Sequence, residues 1–412
     1  MTVPRIALLI GAYPPSTGGA QAHTHALARA LAARGVVQPE VTTLWRETRT
    51  DWVAASTQAA EPVGHDDPDD PDSDPLPPEV DELDGVPVMT IGLESSSRVD
   101  PWLRRSYYPM RRTAARHFAD ELQQPLHDPA DGVAVVHAVR LGREHLALRG
   151  VDEARARDLP FVLTPNHHPR WSRRTFPDPV WRRLYRGADA VFALTENERT
   201  MLTDLGVEPD RIVVTGVGAV IAPTGERPTS LPERAERFLL FLGQQYPYKR
   251  LDQAVAAFDL IARGDLDLHL VVAGPQQPET ERVVAGSSHP DRVHVLGEVS
   301  EPVKRWLLDN AAVLLFPSEQ ESFGGVVVEA AATGCPVVVA NVPAVAEVVD
   351  RLSWGVVAGT TAGSLAEAAR SLMIDPPSEA ARAQAVARAE ARYSWPALAE
   401  VYEHAYRRLL TS

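Results

Sequence analysis

One cysteine, Cys335, stands among 412 residues, which leaves no intrachain disulfide and no thiolate metal cluster to build on. Its setting, Thr-Gly-Cys-Pro-Val-Val-Val, reads as a strand entrance where a small apolar side chain is buried. Long apolar stretches are missing as well. No window of eighteen apolar residues occurs, so no membrane-spanning helix is expected. The run 6–10 near the N-terminus is too short for a secretory leader and is followed by Pro14 and Pro15. A cytoplasmic protein is the expectation. Positive charge is scarce, with 41 Lys and Arg against 55 Asp and Glu, a formal net charge of −14 that argues against nucleic acid as a partner. Also absent is the Gly-x-Gly-x-x-Gly fingerprint of dinucleotide binders, which speaks against an NAD-dependent dehydrogenase. The acidic segment 65–84 holds Asp-x-Asp spacings, but no strand frames it and no His or Glu sits at ligand spacing. It is expected to be a proline-broken solvated loop, and no metal site is expected anywhere.

What the chain does have is regular alternation. Short apolar runs at 6–10, 41–44, 86–91, 133–136, 161–163, 190–194 and 212–214 are separated by helical stretches. A Pro/Gly/Glu/Ser/Thr-rich linker follows at 223–234, and the pattern restarts with runs at 238–242, 268–273, 293–296, 313–316 and 337–340. Between the first two of these, Leu251, Val255, Phe258 and Ala262 recur at helical spacing on one face. The pattern predicts an α/β protein of two doubly wound parallel-sheet domains, 1–222 and 235–394, facing a cleft. A terminal amphipathic helix opens near Trp395. Ligands of such sheets bind at the carboxyl ends of the strands.

The densest chemical signal is Ser318-Glu319-Gln320-Glu321-Ser322-Phe323-Gly324-Gly325, leading into Val326-Val327-Val328-Glu329. It reads as strand, glycine turn, helix. Gly324 and Gly325 let backbone approach a ligand without Cβ atoms in the way. A helix beginning there offers N–H groups and a positive dipole end to a phosphate. Glu321 and Glu329 bracket the turn. Carboxylates beside an anion site suit a ligand carrying both phosphate and hydroxyls, as a nucleotide sugar does. The segment resembles the E-x7-E element of the retaining glycosyltransferases of family 4, which have the GT-B fold with two Rossmann-like domains. The resemblance covers nearly the whole chain and is sharpest in the C-terminal half.

The resemblance implies roles. Glu321 would contact the donor sugar, Glu329 the ribose, and Ser322, Phe323, Gly324 and Gly325 the diphosphate. In Gly243-Gln244-Gln245-Tyr246-Pro247-Tyr248-Lys249-Arg250 the family has Gly-Arg, a spacer and Lys-Gly. Lys249 matches the lysine. Gln244 stands where arginine is usual, and Arg250 replaces the glycine. Arg250, or an arginine of the N-terminal domain, is expected to supply the missing charge; the alternatives are a site with one cation fewer or an atypical donor. Gly297, after the run 293–296, would lie beside the nucleotide base. Gly18 and Gly19 match a Gly-Gly loop near the donor diphosphate, and the closing helix, 395–412, would pack back on the N-terminal domain. His137, ending the run 133–136, is expected to face the cleft and touch sugar or acceptor. With Lys249 and Glu321 it forms the expected catalytic set. Tyr13, His23, Asn166, His167 and His168 are the expected acceptor side, although the two adjacent histidines cannot aim at one point from a strand.

Two basic-aromatic stretches, 102–112 and 170–186, make a local positive surface. A solvated helix face explains them, and anionic lipid, an acidic acceptor or a second subunit of a homodimer are the other readings. The function implied is a metal-independent, cofactor-free retaining hexosyltransferase that uses a nucleoside-diphosphate sugar, UDP- or GDP-linked, on a small hydrophilic metabolite. The Ala/Arg/Pro-rich composition suggests natural product biosynthesis. Alternatives are a peripheral-membrane enzyme acting on lipid or glycan, a sugar phosphorylase, a nucleotide-sugar epimerase and a non-catalytic sugar-nucleotide binder.

Overall fold

A computed structural model describes residues 3–16, 18–46, 79–91, 111–122, 126, 132–139, 144–166 and 179–411. The N-terminal sheet comprises β1 (Arg5–Ala12), β2 (Gln38–Trp45), β3 (Glu79–Leu83), β4 (Val86–Thr90), β5 (Val133–Val139), β6 (Phe161–Thr164), β7 (Ala190–Ala193) and β8 (Ile212–Val214). Its order is β3-β4-β2-β1-β5-β6-β7-β8. The C-terminal sheet comprises β9 (Arg237–Leu242), β10 (Leu268–Ala273), β11 (Val293–Gly297), β12 (Val313–Phe316), β13 (Val337–Ala340) and β14 (Val356–Ala358), in the order β11-β10-β9-β12-β13-β14. Helices cover the faces of both sheets, which is why the central strands read as largely apolar runs: every residue of β10, β12 and β13 is buried, with His269 of β10 the one polar residue among them.

The helices of the N-terminal half are α1 (Gly19–Arg34), α2 (Arg111–Asp120), α3 (Glu144–Ala156), α4 (Pro179–Gly187) and α5 (Glu196–Asp204). Those of the C-terminal half are α6 (Leu251–Ala262), α7 (Thr280–Ala285), α8 (Glu301–Asn310), α9 (Gly325–Thr333), α10 (Pro343–Leu352), α11 (Ala362–Ile374) and α12 (Glu379–Tyr393), followed by the closing α13 (Trp395–Leu410). No helix or strand lies between β8 and β9. Ser394 ends α12 and starts α13: its hydroxyl accepts from the Ala397 N–H, and Pro396 follows in the first turn, where its missing N–H costs nothing.

The acidic segment corrects the sequence reading at its end. Glu79–Leu83 is a strand, β3, paired antiparallel with β4 through a turn whose Asp84 and Gly85 both have positive φ, 51° and 78°. The strand is nearly all exposed, so it lacks the alternation that marks a half-buried strand, and only the Asp-Gly dipeptide signals the hairpin. Residues 65–78 lie outside the described residues.

Helix α13 lies on the N-terminal domain. Ala399, Tyr402, Ala405 and Tyr406 share a core with Leu27 and Leu31 of α1 and with Ile6, Leu8 and Ile10 of β1. Arg34 of α1 donates to Glu403 of α13 at 2.7 Å. Strand order reverses between β1 and β5 in one sheet and between β9 and β12 in the other. Crevices form outside the carboxyl ends of strands at such reversals. The loops after β1, β9 and β12 carry Gly18-Gly19, Gln244 to Arg250 and Glu321 to Gly325.

Candidate functional site

Three neighbouring strands of the C-terminal sheet, β9, β10 and β11, end on glycine. Gly243, Gly274 and Gly297 follow or close β9, β10 and β11 with φ of 141°, 125° and 71°. A Cβ on Gly274 would stand 2.1 Å from the Gly243 carbonyl oxygen, so no other residue fits there. The Gly274 N–H donates to the Gly297 carbonyl at 2.7 Å, and the Gly243 N–H to Ala273 at 2.9 Å. The result is a ledge of bare backbone. Gln244 comes next, half-buried, with no hydrogen bond to its side chain among the described residues.

After β12 the chain turns through Gly324, left-handed at φ 89° and ψ 55°, and α9 begins without a side-chain cap. Phe323 is buried edge-on against Tyr393 at 5.6 Å, so only its backbone is available to a ligand. Ser322 donates to the Asn166 carbonyl at 3.4 Å, joining this turn to the N-terminal domain.

Each cation near the turn already faces a carboxylate. The Lys249 ammonium lies 2.5 Å from Glu321, held above the rings of Phe316 and Tyr248 at 5.4 and 5.5 Å. Lys304 of α8 pairs with Glu329 at 2.9 Å and Glu301 at 2.8 Å. Burial pushes the Glu329 carboxyl above the usual range, and Lys304 opposes that shift. Arg250, at φ 59°, grips Asp252 through both Nε and Nη2 at 2.9 Å and also bonds Glu319. The Asp252 bond, then Glu319, holds its guanidinium charge above its ordinary proton affinity. Three cations thus stand among five carboxylates. Arg250, expected to supply the charge absent at Gln244, has its fork engaged by two carboxylates, Asp252 and Glu319.

The N-terminal half brings fewer predicted residues to the cleft. Gly18 precedes α1, where a Cβ would meet the Gln21 Oε1 at 2.5 Å, while Gly19 faces open space. Asn166 sits at φ 49° with its side-chain oxygen buried and without a hydrogen-bond partner among the described residues. His167 and His168 lie outside the described residues. His137 is corrected outright. Strand β5 runs on to Val139, so His137 is a mid-strand residue and not a strand end. It is fully buried under α13, with Nδ1 2.7 Å from the Tyr406 hydroxyl and Nε2 2.7 Å from the Thr164 hydroxyl. Both nitrogens are occupied, and burial lowers its pKa to about 3.

His23 is likewise a core residue, 3.2 Å from the Tyr402 hydroxyl and edge-on to Trp395 at 5.3 Å, its pKa lowered by burial to about 4. Tyr13 has no exposed surface; its hydroxyl meets His25 at 2.9 Å, and His25 meets Asp84 at 3.1 Å. These three residues build the domain and do not present side chains to an acceptor.

Sequence reasoning missed Lys304, because an isolated lysine outside any motif gives no signal. It missed the glycine ledge, although glycine directly after an apolar run, three times over, was the available sign. Of the basic stretches, Arg183 is paired with Asp152, which Arg116, outside them, also contacts. Residues 102–110 and 170–174 lie outside the described residues. Among the described residues, no group of three or more His, Cys, Asp or Glu that could hold a metal ion occurs. None of the described helices is long and apolar enough to cross a membrane.

Comparison with known proteins places both halves. Residues 225–391 match the family model described as glycosyl transferases group 1, and residues 18–218 match a glycosyl transferase 4-like domain. A D-inositol 3-phosphate glycosyltransferase of Kineococcus radiotolerans is 32% identical over 274 residues, 56% of this chain. The match spans only 61% of that relative's length. A glycogen synthase of Mycobacterium tuberculosis is 26% identical over 98% of this chain and 94% of its own. Among solved structures, sucrose-phosphate synthase of Thermosynechococcus elongatus superposes with a TM-score of 0.70 at 19% identity, covering 99% of each chain. HepE of Anabaena, in complex with UDP-glucose, gives 0.66 at 15% identity over 99% of this chain and 100% of its own. The architecture is GT-B.

Proposed function

We propose, from the match of the two halves to glycosyltransferase domain models on one GT-B frame, that the protein is a retaining glycosyltransferase. It moves a hexose-type sugar from a nucleoside-diphosphate sugar, UDP- or GDP-linked, to a small hydrophilic acceptor in the cytoplasm. The observation that carries this is the uncapped glycine turn at α9, flanked by Glu321 and Glu329, with Lys249 held on Glu321. Lys249 and the backbone N–H groups at Gly324 and Gly325 face the diphosphate, while Glu321 takes sugar hydroxyls and Glu329 the ribose. The bond from sugar C1 to the diphosphate oxygen breaks, and its electron pair leaves with the nucleotide. The acceptor oxygen joins C1 on the same face and passes its proton to the departing phosphate oxygen. Charge that builds on the leaving group is met by fixed donors, the arrangement that stabilises a transition state most. Neither a protein nucleophile nor a metal ion has a step in this scheme. A bound UDP-glucose in the HepE neighbour favours uracil as the base.

Incubation with UDP-glucose and a panel of polyols and simple glycosides, with products read by NMR, tests the proposal. An α-linked product with release of UDP is expected. A β-linked product, or sugar phosphate formed without UDP, would overturn it.

A further inference from the structure

The two domains also meet away from Ser322 and Asn166. Helix α5 of the N-terminal domain begins with N–H groups that no preceding turn can satisfy. Thr195, its N-cap, takes one of them, the Glu198 N–H, at 3.0 Å. The other two come from the opposite domain's reach: Glu347 of α10 accepts the Glu196 N–H at 2.8 Å and the Asn197 N–H at 2.9 Å, one on each carboxylate oxygen. A carboxylate at a helix N-terminus also gains from the helix dipole. Glu196 brings a second negative charge to the same spot, and Arg351, one turn beyond Glu347, settles it. Its guanidinium lies 2.9 Å from Glu347 and 3.5 Å from Glu196. The capping of one domain's helix is therefore completed only by a side chain of the other.

We propose that Glu347 is an interdomain clasp that sets how closely the two domains of the cleft approach. The geometry makes it directional and exacting. Two parallel hydrogen bonds fix both the distance and the rotation of α10 relative to α5, which a single ion pair on flexible side chains would not. Elsewhere the domains meet through the Ser322 hydrogen bond at the long distance of 3.4 Å, the Ala219 N–H to the Tyr393 carbonyl at 3.1 Å, and Leu194, which packs in the C-terminal core; none of these sets two hydrogen bonds on one side chain. Interfaces between domains of one chain leave relative motion as the default, so removing the clasp frees that motion. The inference rests on the functional reading only through the choice of UDP as a probe.

Three measurements on the full chain test it, comparing wild type with Glu347→Gln and Glu347→Ala. Hydrogen exchange reports the Glu196 and Asn197 amides directly; both variants should exchange them at least tenfold faster. Small-angle scattering should show a larger radius of gyration for the variants than for the wild type. Calorimetric binding of UDP should stay within about threefold, since Lys249, Gly324, Gly325 and Glu329, on which the proposed function rests the nucleotide, lie in the C-terminal domain. Glu347→Gln keeps the side chain's volume, so it reports even if the alanine variant folds poorly. Unchanged scattering alongside lost amide protection would overturn the clasp, and so would fast exchange of the two amides in the wild type. If UDP binds neither form while scattering still shifts, the clasp stands and the nucleotide assignment falls.

Discussion

His137 joins two hydroxyls inside a core sealed by α13, and the consequence is a pH dependence of stability, not of catalysis. An unfolded histidine titrates near pH 6.5; folded His137 is held near 3 and His23 near 4, both by burial. Between those values the unfolded chain binds more protons than the folded one, so stability is present above about pH 6.5 and is lost as pH falls toward the folded values. The loss should be on the order of a few kcal/mol. Urea melts from pH 7 to pH 5 should show a falling midpoint, with a visibly shallower fall in His137→Asn; equal slopes in the two proteins would show that His137 is not held neutral. A second expectation concerns the cations. Because Arg250 is bound to Asp252 and Glu319, Arg250→Ala should change UDP affinity by less than about threefold. Lys249→Ala should weaken it about tenfold or more, the worth of a charge-assisted hydrogen bond. Gln244→Arg, adding a charge beside an unpaired position, should tighten it. A calorimetric titration of the three variants decides, and a large loss in Arg250→Ala would return that residue to the nucleotide.

At the level of elements, the strands were legible because parallel strands covered on both faces leave mostly apolar runs, with few polar residues such as His137 and His269 within them. Where the environment differs, the signal disappears. β3 is exposed and acidic, and short β14, with Val357 at its surface, carries no contrast with its surroundings. The role of His137 was misread by two residues of strand length, since His137 interrupts an apolar run that resumes with Ala138 and Val139, where pairing with β6 continues. The glycine turn at α9 was read correctly as a turn before a helix, because Gly-Gly followed by an apolar helical stretch has few other solutions. The partners of its glutamates were not readable: Lys304 lies 25 residues before Glu329, and nothing local links them. The glycine ledge gives this scale its prediction. Gly274→Ala places a Cβ against backbone that cannot move aside, and should destabilise by on the order of 3 kcal/mol or more with loss of UDP binding. Gly19→Ala meets nothing within 4 Å and should leave stability within about 0.5 kcal/mol of wild type. Equal melting temperatures for the two variants would mean the ledge is not as tight as drawn.

The whole molecule is two doubly wound domains whose facing loops hold the candidate site, tied by α13, by Ser322 and by Glu347. Its architecture follows from pattern alone, but the packing of α13 on α1 and the clasp depend on residues far apart in sequence, which no single-chain periodicity records. The site carries more carboxylates than cations, and under the proposed function a nucleotide sugar would part Lys249 from Glu321 and Lys304 from Glu329. That exchange makes Glu329 the most diagnostic position in the chain. Thermal stabilisation by UDP, GDP, ADP and dTDP, with wild type and Glu329→Ala side by side, tests it most directly, because a ligand that binds only the folded state raises the melting temperature by mass action. One nucleotide, UDP foremost, should stabilise the wild type, with a clearly smaller shift in Glu329→Ala. No shift with any nucleoside diphosphate, or an equal shift in both proteins, would contradict the assignment of this turn to a nucleotide sugar.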